Sequence, residues 1–366
     1  MKHLWLFNPE NDIALAHDTA NFTAPVAAVS LRKAGEILPL WVAYDGDVVL
    51  CSGVSDSWLK RVQQDFGIKV EPWAHDLDCL LQPWGWSKAT RRFFEQNGFV
   101  DSVLPSDKTL SDIRRLSHRR TSAVVAEKLK QELNFPTWDA AVEIDNVENL
   151  KKMLADGRRY VLKSPWSSSG RGIVFVDESN VQNALRQAEG TIKKQGSIMV
   201  ERSAERVVDF AMLFDYSSDE CSFCGYSLFS TDTRGVYTGN IVSSQTEIVN
   251  KLSKYIDIKQ LEEVESVLPV VLREVLGCDY RGPIGVDMLA TTNGMLHPVV
   301  EVNLRWTMGF VALRLARFVE GEAFYSVIPG DCSQECVPIV DNGKLISGTL
   351  ALNPPGGDFT FILKKD

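Results

Sequence analysis

The sequence predicts a mixed α/β and α+β fold, an N-terminal α/β unit followed by two α+β units. Three observations predict it. Up to about residue 105, short apolar runs alternate with helical stretches, the pattern of a small α/β unit. Four apolar runs then follow closely as strands: SIMVERS (197–203), VVDFAMLF (207–214), CSFCGYSLF (221–229) and VYTGNIV (236–242). Finally, GVDMLATTNGMLHPVVEVNLRW (285–306) reads as a hairpin whose apolar alternation is interrupted by Asp287, Glu301, Asn303 and Arg305. The expected divisions are an α/β unit at 1–108, a first α+β unit at 109–196, a second at 197–330, and a β-rich tail at 331–366 packed on the body.

In the first unit, HLWLF (3–7) is a strand ending at a Pro turn, and Pro25 opens a helix over 25–38, a position where its missing N–H costs nothing. Strands at 47–51 and 68–72 flank a helix at 57–66, and a helix at 87–97 follows the aromatic PWGW (83–86), read as a surface loop. FNPENDIALAH (7–17) is a polar loop beyond a strand end, a favoured ligand position whose acidic groups, Glu10 and Asp12, suit an amine, but Asn and Asp there more often cap their own turn. The capped turn is the favoured reading.

The next segment, 109–134, reads as one helix, with Ser122, Val125, Leu129 and Leu133 on a single stripe. A helix at 146–156, a strand at 159–165, a Ser/Gly loop and a strand at 172–177 complete the second unit. Helices at 245–256, 258–276 and 308–319 surround the hairpin.

Composition narrows the function. The 366 residues carry 48 acidic and 39 Lys or Arg side chains, a net charge of −9, which argues against nucleic acid as the partner. No apolar run reaches bilayer length and the first residues lack a signal-type apolar core, so no membrane is expected and the cytoplasm is the expected location. Cys221, Cys224, Cys332 and Cys336 have the residue types of a zinc site. In a strand, however, Cys221 and Cys224 point to opposite faces, and buried reduced thiols are the expectation for the seven cysteines. Among nine Trp, Trp166 and Trp306 flank the polar segments, with core packing as their default role.

The hairpin carries the chemistry. Residues two apart share a strand face, so Glu301, Asn303 and Arg305 project together, opposite Val300, Val302 and Leu304. A two-residue Asn293–Gly294 turn would pair Asp287 with Val300; an odd-length loop or a bulge pairs it with Glu301, which is the register expected. Two carboxylates and an amide then form an all-oxygen site suited to Mg2+. On these residues alone, a solvated sheet face with a Glu–Arg pair is an equal alternative.

Two further segments bear on nucleotide chemistry. In YVLKSPWSSSGRGI (160–173), Lys163 leads into Ser167, Ser168, Ser169, Gly170, Arg171 and Gly172, small residues whose backbone N–H groups can cradle phosphate. No GxxxxGK[ST] and no GxGxxG are present, and a flexible turn is the bland alternative. SIMVERS is an apolar strand that can wall an adenine ring, and Asp209 follows at a distance suited to ribose hydroxyls.

The order of these pieces resembles the ATP-grasp family over about residues 110–320, and EVNLRW is especially similar to its Glu-x-Asn-x-Arg element. The resemblance implies ATP held between two α+β subdomains behind a pre-ATP-grasp-like N-terminal domain. It implies Lys163 on the α- and β-phosphates, the 167–172 loop closing over the triphosphate, and Met199, Val200, Glu201 and Arg202 as the adenine hinge. Asp209 falls on the ribose; Asp287, Glu301 and Asn303 fall on one or two Mg2+, with Mn2+ an alternative. Arg305 falls on the transferred phosphoryl group, and Arg234 on the γ-phosphate or acceptor. Arg119 or Arg120 takes the place of the usual basic residue before the Lys strand, Arg120 being carried into the site.

The implied activity is an ADP-forming carboxylate–amine ligase working through an acyl phosphate. Its expected partners are a small carboxylate and an amine (or a thiol), with a homodimer as the oligomer allowed for. A phosphotransferase and a non-catalytic nucleotide-binding protein are the rivals.

Overall fold

The computed structural model describes residues 2–167, 172–217 and 220–366. Its first sheet is parallel, in the order β3-β2-β1-β4, from β1 (His3–Leu6), β2 (Val48–Val49), β3 (Glu71–Pro72) and β4 (Leu80–Pro83). Around it lie α1 (Asn11–His17), α2 (Val26–Gly35), α3 (Asp56–Phe66) and α4 (Lys88–Gln96). Local chemistry sets their ends. The Ser55 hydroxyl accepts from Trp58 N–H to start α3, and Gly67, at φ +66, ends it. β4 and α1 are additions to the elements expected from sequence: residues 11–17 of the polar 7–17 segment fold into α1.

Helices α5 (Asp107–Leu116) and α6 (Arg120–Glu132) replace the single helix expected over 109–134. The break at 117–119 has a tertiary cause: Arg119 N–H donates to the Pro165 carbonyl at 3.1 Å. The next sheet is antiparallel, in the order β5-β8-β6-β7, from β5 (Val142–Ile144), β6 (Tyr160–Lys163), β7 (Ile173–Val176) and β8 (Ile198–Arg202). It is backed by α7 (Val147–Leu154) and α8 (Val181–Gln195), the latter not anticipated from sequence.

A nine-stranded antiparallel sheet holds the remainder, in the order β13-β12-β9-β10-β11-β14-β17-β16-β15. Its strands are β9 (Arg206–Tyr216), β10 (Cys221–Thr231), β11 (Tyr237–Val242), β12 (Gly282–Thr291), β13 (Leu296–Asn303), β14 (Ala323–Pro329), β15 (Pro338–Asp341), β16 (Lys344–Ala351) and β17 (Phe359–Lys365). Helices α9 (Gln245–Leu252), α10 (Ile258–Leu276) and α11 (Met308–Leu315) pack on it, α11 ending earlier than the 319 expected. The last strands therefore continue the sheet that carries the polar hairpin.

Two apolar cores set the relation of these layers. One joins α6 and α10 to β9, β10, β12 and β13 through Val125, Leu129, Phe210, Phe214, Leu268 and Val286. The other joins the first sheet to the last strands through Phe7, Trp41, Tyr325 and Phe361. Trp84 lies in this second core rather than at the surface, its ring 4.9 Å from that of Phe7. Cys221 is buried and Cys224 exposed, on opposite faces of β10. Among the described residues all seven cysteines are free, and no helix is long and apolar enough to cross a membrane.

Candidate active site

A cavity of about 450 Å³ lies between the sheet carrying Lys163 and the hairpin β12–β13. Asp287 is paired directly with Glu301, and Gly285 with Asn303. The register comes from an odd-length connection and a bulge together. Thr291 N–H donates to the Met295 carbonyl at 3.0 Å, closing a three-residue turn in which Gly294 takes φ +76. Past Asp287 the pairing then slips, so that Leu289 faces His297.

The polar groups of the hairpin form a chain of hydrogen bonds. Asn303 Nδ2 donates to Asp287 Oδ2 at 3.0 Å, and Arg305 Nη2 donates to Asn303 Oδ1 at 2.9 Å. Arg305 Nε donates to Asp12 Oδ2 at 2.8 Å, an ion pair reaching across from α1. The 7–17 segment thus supplies a carboxylate to this network, more than the local turn favoured from sequence. Burial opposes the charge on Arg305, but Asp12 and then Glu301 outweigh it and raise its pKa. Burial lifts Asp287 to about 7, with Glu301 adding to the rise and Arg305 and Asn303 partly offsetting it.

Arg119, not Arg120, is the basic residue in this network. Arg119 Nη2 donates to Glu301 Oε1 and Oε2 at 2.8 and 2.9 Å, while Nη1 donates to Ser167 Oγ at 2.6 Å and to the Ser164 carbonyl. Arg120 is half-exposed and pairs with Glu143 at 2.7 Å. Because Arg119 sits in the break between α5 and α6, its side chain turns to the loop after β6.

Across the cavity, Lys163 Nζ lies 2.6 Å from Glu201 Oε1, both side chains nearly sequestered from solvent, and donates to the Val300 carbonyl at 3.4 Å. Burial alone would raise the Glu201 carboxyl, but Lys163 and then His297 hold it at about 2. His297 Nε2 is 3.7 Å from Glu201 Oε2, beyond hydrogen-bond reach, and among the described residues neither of its ring nitrogens has a hydrogen-bond partner. Asp209 accepts from Thr231 Oγ1 at 2.8 Å, with its carboxyl raised by burial.

The other residues singled out from sequence divide. Met199 and Val200 are buried in β8 and do not line the cavity, while Glu201, Ser203 and Ala204 do. Arg202 is exposed at the strand end. Arg234 is exposed and pairs with Asp232 of its own turn; Gly235, Val236 and Tyr237 next to it line the cavity. Ser168, Ser169, Gly170 and Arg171 lie outside the described residues. Gly172, at φ +71, is crowded as well, since a Cβ there would come within 2.6 Å of Ser164 Oγ. Trp166 is packed, its Nε1 donating to the Arg114 carbonyl at 3.0 Å, and Trp306 packs against Trp5 with the rings tilted by 58° at 4.8 Å. Sequence reading singled out Asp12 only as part of a ligand loop or capped turn, not as a partner of Arg305, and missed His297 and the apolar lining from Val161, Ile173, Phe175, Met288 and Leu289.

No family model matches the chain. It is 25% identical over 211 residues to the butirosin acyl-carrier protein–L-glutamate ligase of Niallia circulans, a match covering 57% of this chain and 46% of that one. The chain thus spans about half the length of that curated relative. Among solved structures it is similar to the biotin carboxylase of Campylobacter jejuni in its β,γ-ATP complex (TM-score 0.55, 14% identity, 99% of this chain and 87% of that one). It is also similar to the ADP complex of N5-carboxyaminoimidazole synthetase from Staphylococcus aureus (TM-score 0.50, 11% identity, 100% and 94%). The fold is the ATP-grasp fold, with an N-terminal domain ahead of it.

That fold implies a divalent cation, and the residues present fit one. Asp287 and Glu301 offer carboxylate oxygens on one face of the hairpin and stand against each other as like charges, and Asn303 beside them carries an amide oxygen that here accepts from Arg305. Here the guanidinium of Arg119 supplies the positive charge beside Glu301.

Proposed function

We propose that the chain is an ATP-dependent ligase that activates a carboxylate as an acyl phosphate for attack by an amine or a similar nucleophile. One observation carries this reading. Asp287, Glu301, Asn303 and Arg305 converge on one side of a cavity whose other side presents Lys163. A protein that only sensed nucleotide would have little use for two acids, an amide and an arginine gathered where charge is transferred.

Each residue has a role in the proposal. Lys163, fixed by Glu201, supplies an ammonium to the α- and β-phosphates; Val161, Phe175, Met288 and Leu289 take the base, and Asp209 the ribose. The hinge is assigned to Glu201, Ser203 and Ala204, with Arg202 outside. Mg2+ or Mn2+ held by Asp287, Glu301 and Asn303 would neutralise phosphate oxygens that otherwise repel the incoming carboxylate. Arg305, pinned between Asp12 and Asn303, presents its charge to the transferred phosphoryl group without having to reorganise. Arg234 stays a candidate contact to the acceptor by way of its turn.

The sequence relative's name pairs L-glutamate with a carrier protein, which supports an amino acid as one of the two substrates. The free thiols accord with a reducing compartment, and the cytoplasm is the proposed location.

The test is Mg2+-dependent ADP release over a panel of carboxylates and amines, with hydroxylamine added to trap an acyl phosphate as its hydroxamate. Hydroxamate with ADP supports the ligase. A stable phosphorylated product without hydroxamate makes the chain a phosphotransferase, and MgADP binding with no turnover over the panel makes it a non-catalytic nucleotide binder.

A further inference from the structure

The cavity of the candidate active site runs past the residues given roles so far, along the face of the nine-stranded sheet. The strand register carries that face across in rows. Leu289, Asp209, Phe229, Asn240 and Tyr325 stand opposite one another on β12, β9, β10, β11 and β14. Asp287, Ala211 and Ser227 form the neighbouring row on β12, β9 and β10. Residues paired in this way share a face, so the face bearing Asp287 continues to β14 and, through Val327 opposite Phe361, to β17. Four strand spacings, about 19 Å along the sheet, separate β12 from β14. The cavity follows the same course: Phe229, Val327 and Phe359 line it from the sheet, and Leu31 of α2 and Met308 of α11 complete this far wing.

The wing differs in chemistry from the nucleotide end. Among the described residues, every charged side chain of the lining comes from β6, β8, β9 or the hairpin and the Arg305 that follows it. From β10 through β17, and on α2 and α11, the lining carries none. The polar groups of the wing are turned to one another. The Tyr237 hydroxyl donates to Asn240 Oδ1, and Asn240 Nδ2 donates to Ser227 Oγ at 2.7 Å and to the Leu228 carbonyl at 3.3 Å, which uses both of its hydrogens. The Tyr325 hydroxyl donates to Met308 Sδ at 3.3 Å. What is left for a ligand is hydrocarbon and aromatic surface. Leu31, Phe229, Met308, Val327 and Phe359 pack against the second apolar core and yet are only half-buried. Covering such surface is favourable, and setting an unpaired charge against it is costly.

We infer that this wing binds the body of a monocarboxylic acid, an uncharged acyl chain or aryl group, with the carboxylate at the Arg305 end. Arg305 stands at the join, because Thr307 and Met308, next along the chain, already line the wing. A dicarboxylate or a free α-amino acid would set a second charge against a wall that has no counter-charge for it. The wing therefore takes the acid that is activated, and not the amino acid. The inference deepens the ligase reading and rests on it for which end of the acid reacts. The apolar character of the wing stands apart from that reading.

Calorimetric titration of the full chain, with MgADP present, tests this with octanoate and 3-phenylpropanoate against succinate and L-glutamate. At least one of the two apolar acids should bind one per chain, about 10-fold or more tighter than succinate and L-glutamate. Val327→Asp should weaken that binding by about 10-fold or more and Leu31→Gln by about 3-fold or more, with MgADP affinity as the check that each variant is folded. No saturable binding of either apolar acid, binding of succinate or L-glutamate as tight as theirs, or full affinity in Val327→Asp overturns the assignment. Should Val327→Asp lose MgADP binding, Leu31→Gln decides alone, and unchanged affinity there overturns it. Hydroxamate formation reports separately on the ligase reading. An apolar acid bound one per chain, with no hydroxamate from any acid, retires that reading and keeps the wing; hydroxamate from hydrophilic acids alone keeps that reading and retires the wing.

Discussion

Arg119 holds both oxygens of Glu301, at 2.8 and 2.9 Å, across 182 positions of sequence. The contact ties the break between α5 and α6 to the hairpin. Replacing Arg119 with Gln leaves a half-buried carboxylate without its counter-charge, costing about 1–3 kcal/mol, less than the loss expected for a fully buried pair. Thermal denaturation should register the drop, and nucleotide turnover should fall at least 10-fold. Arg120→Gln, removing a solvent-screened pair with Glu143 and two longer contacts to His118 at 3.3 Å, should stay within about 1 kcal/mol of the parent.

Asp287 provides a pH signature. Its carboxyl titrates near 7 in the folded chain against an unfolded value near 3.9, so the folded form binds the extra proton between those limits. In the absence of ligand, this group's contribution to stability is therefore greatest in acid and declines as pH rises through about 4 to 7. Mg2+ competes with the same proton, so its affinity, followed by MgADP titration, should strengthen as pH rises through about 7. Asp287→Asn should remove both trends; an unchanged pH profile in that variant would refute the assignment.

The Lys163–Glu201 pair gives the opposite sign. Held at about 2 when folded against about 4.3 unfolded, Glu201 contributes stability that is present above about pH 4 and is lost as pH falls toward 2. Lys163→Met strands a buried carboxylate at a cost of about 3–5 kcal/mol, and adding Glu201→Gln should recover part of that stability without recovering turnover. A double-mutant cycle by denaturant titration reads the coupling.

Asp12→Asn should act through Arg305. The amide keeps a hydrogen-bond acceptor but loses the charge that outweighs burial of the guanidinium. The expectation is a fall of about 10-fold in kcat with KM for ATP within about 2-fold, because Asp12 does not line the nucleotide cavity. Steady-state kinetics at saturating Mg2+ would decide it.

The sequence made some of these residues visible and hid others for identifiable reasons. Asp287, Glu301 and Asn303 were legible because strand geometry has a period of two and any acid on such a face stands out. Lys163 was legible from its position before a run of small residues. Arg119 was not separable from Arg120, since one residue of helical phase decides which side chain turns inward, and that phase is reset by a hydrogen bond to Pro165. Asp12 looked like a turn-former, and only the packing of α1 against a residue 293 positions away makes it a partner of Arg305. His297 shares the period-two face of Glu301 and Asn303, but a lone His next to Pro298 carries no signal of its own until the fold sets it opposite Glu201.

The second apolar core joins the chain's opening strand to its closing ones. Phe361 sits 5.9 Å from Phe7, edge to face, and the Trp41 indole donates to the Leu352 carbonyl at 2.8 Å. A ribosome adds residues from one end only, so the first hundred emerge long before the surface that covers them has been made. The first α/β layer must wait, incompletely covered, until β14 and β17 have been made.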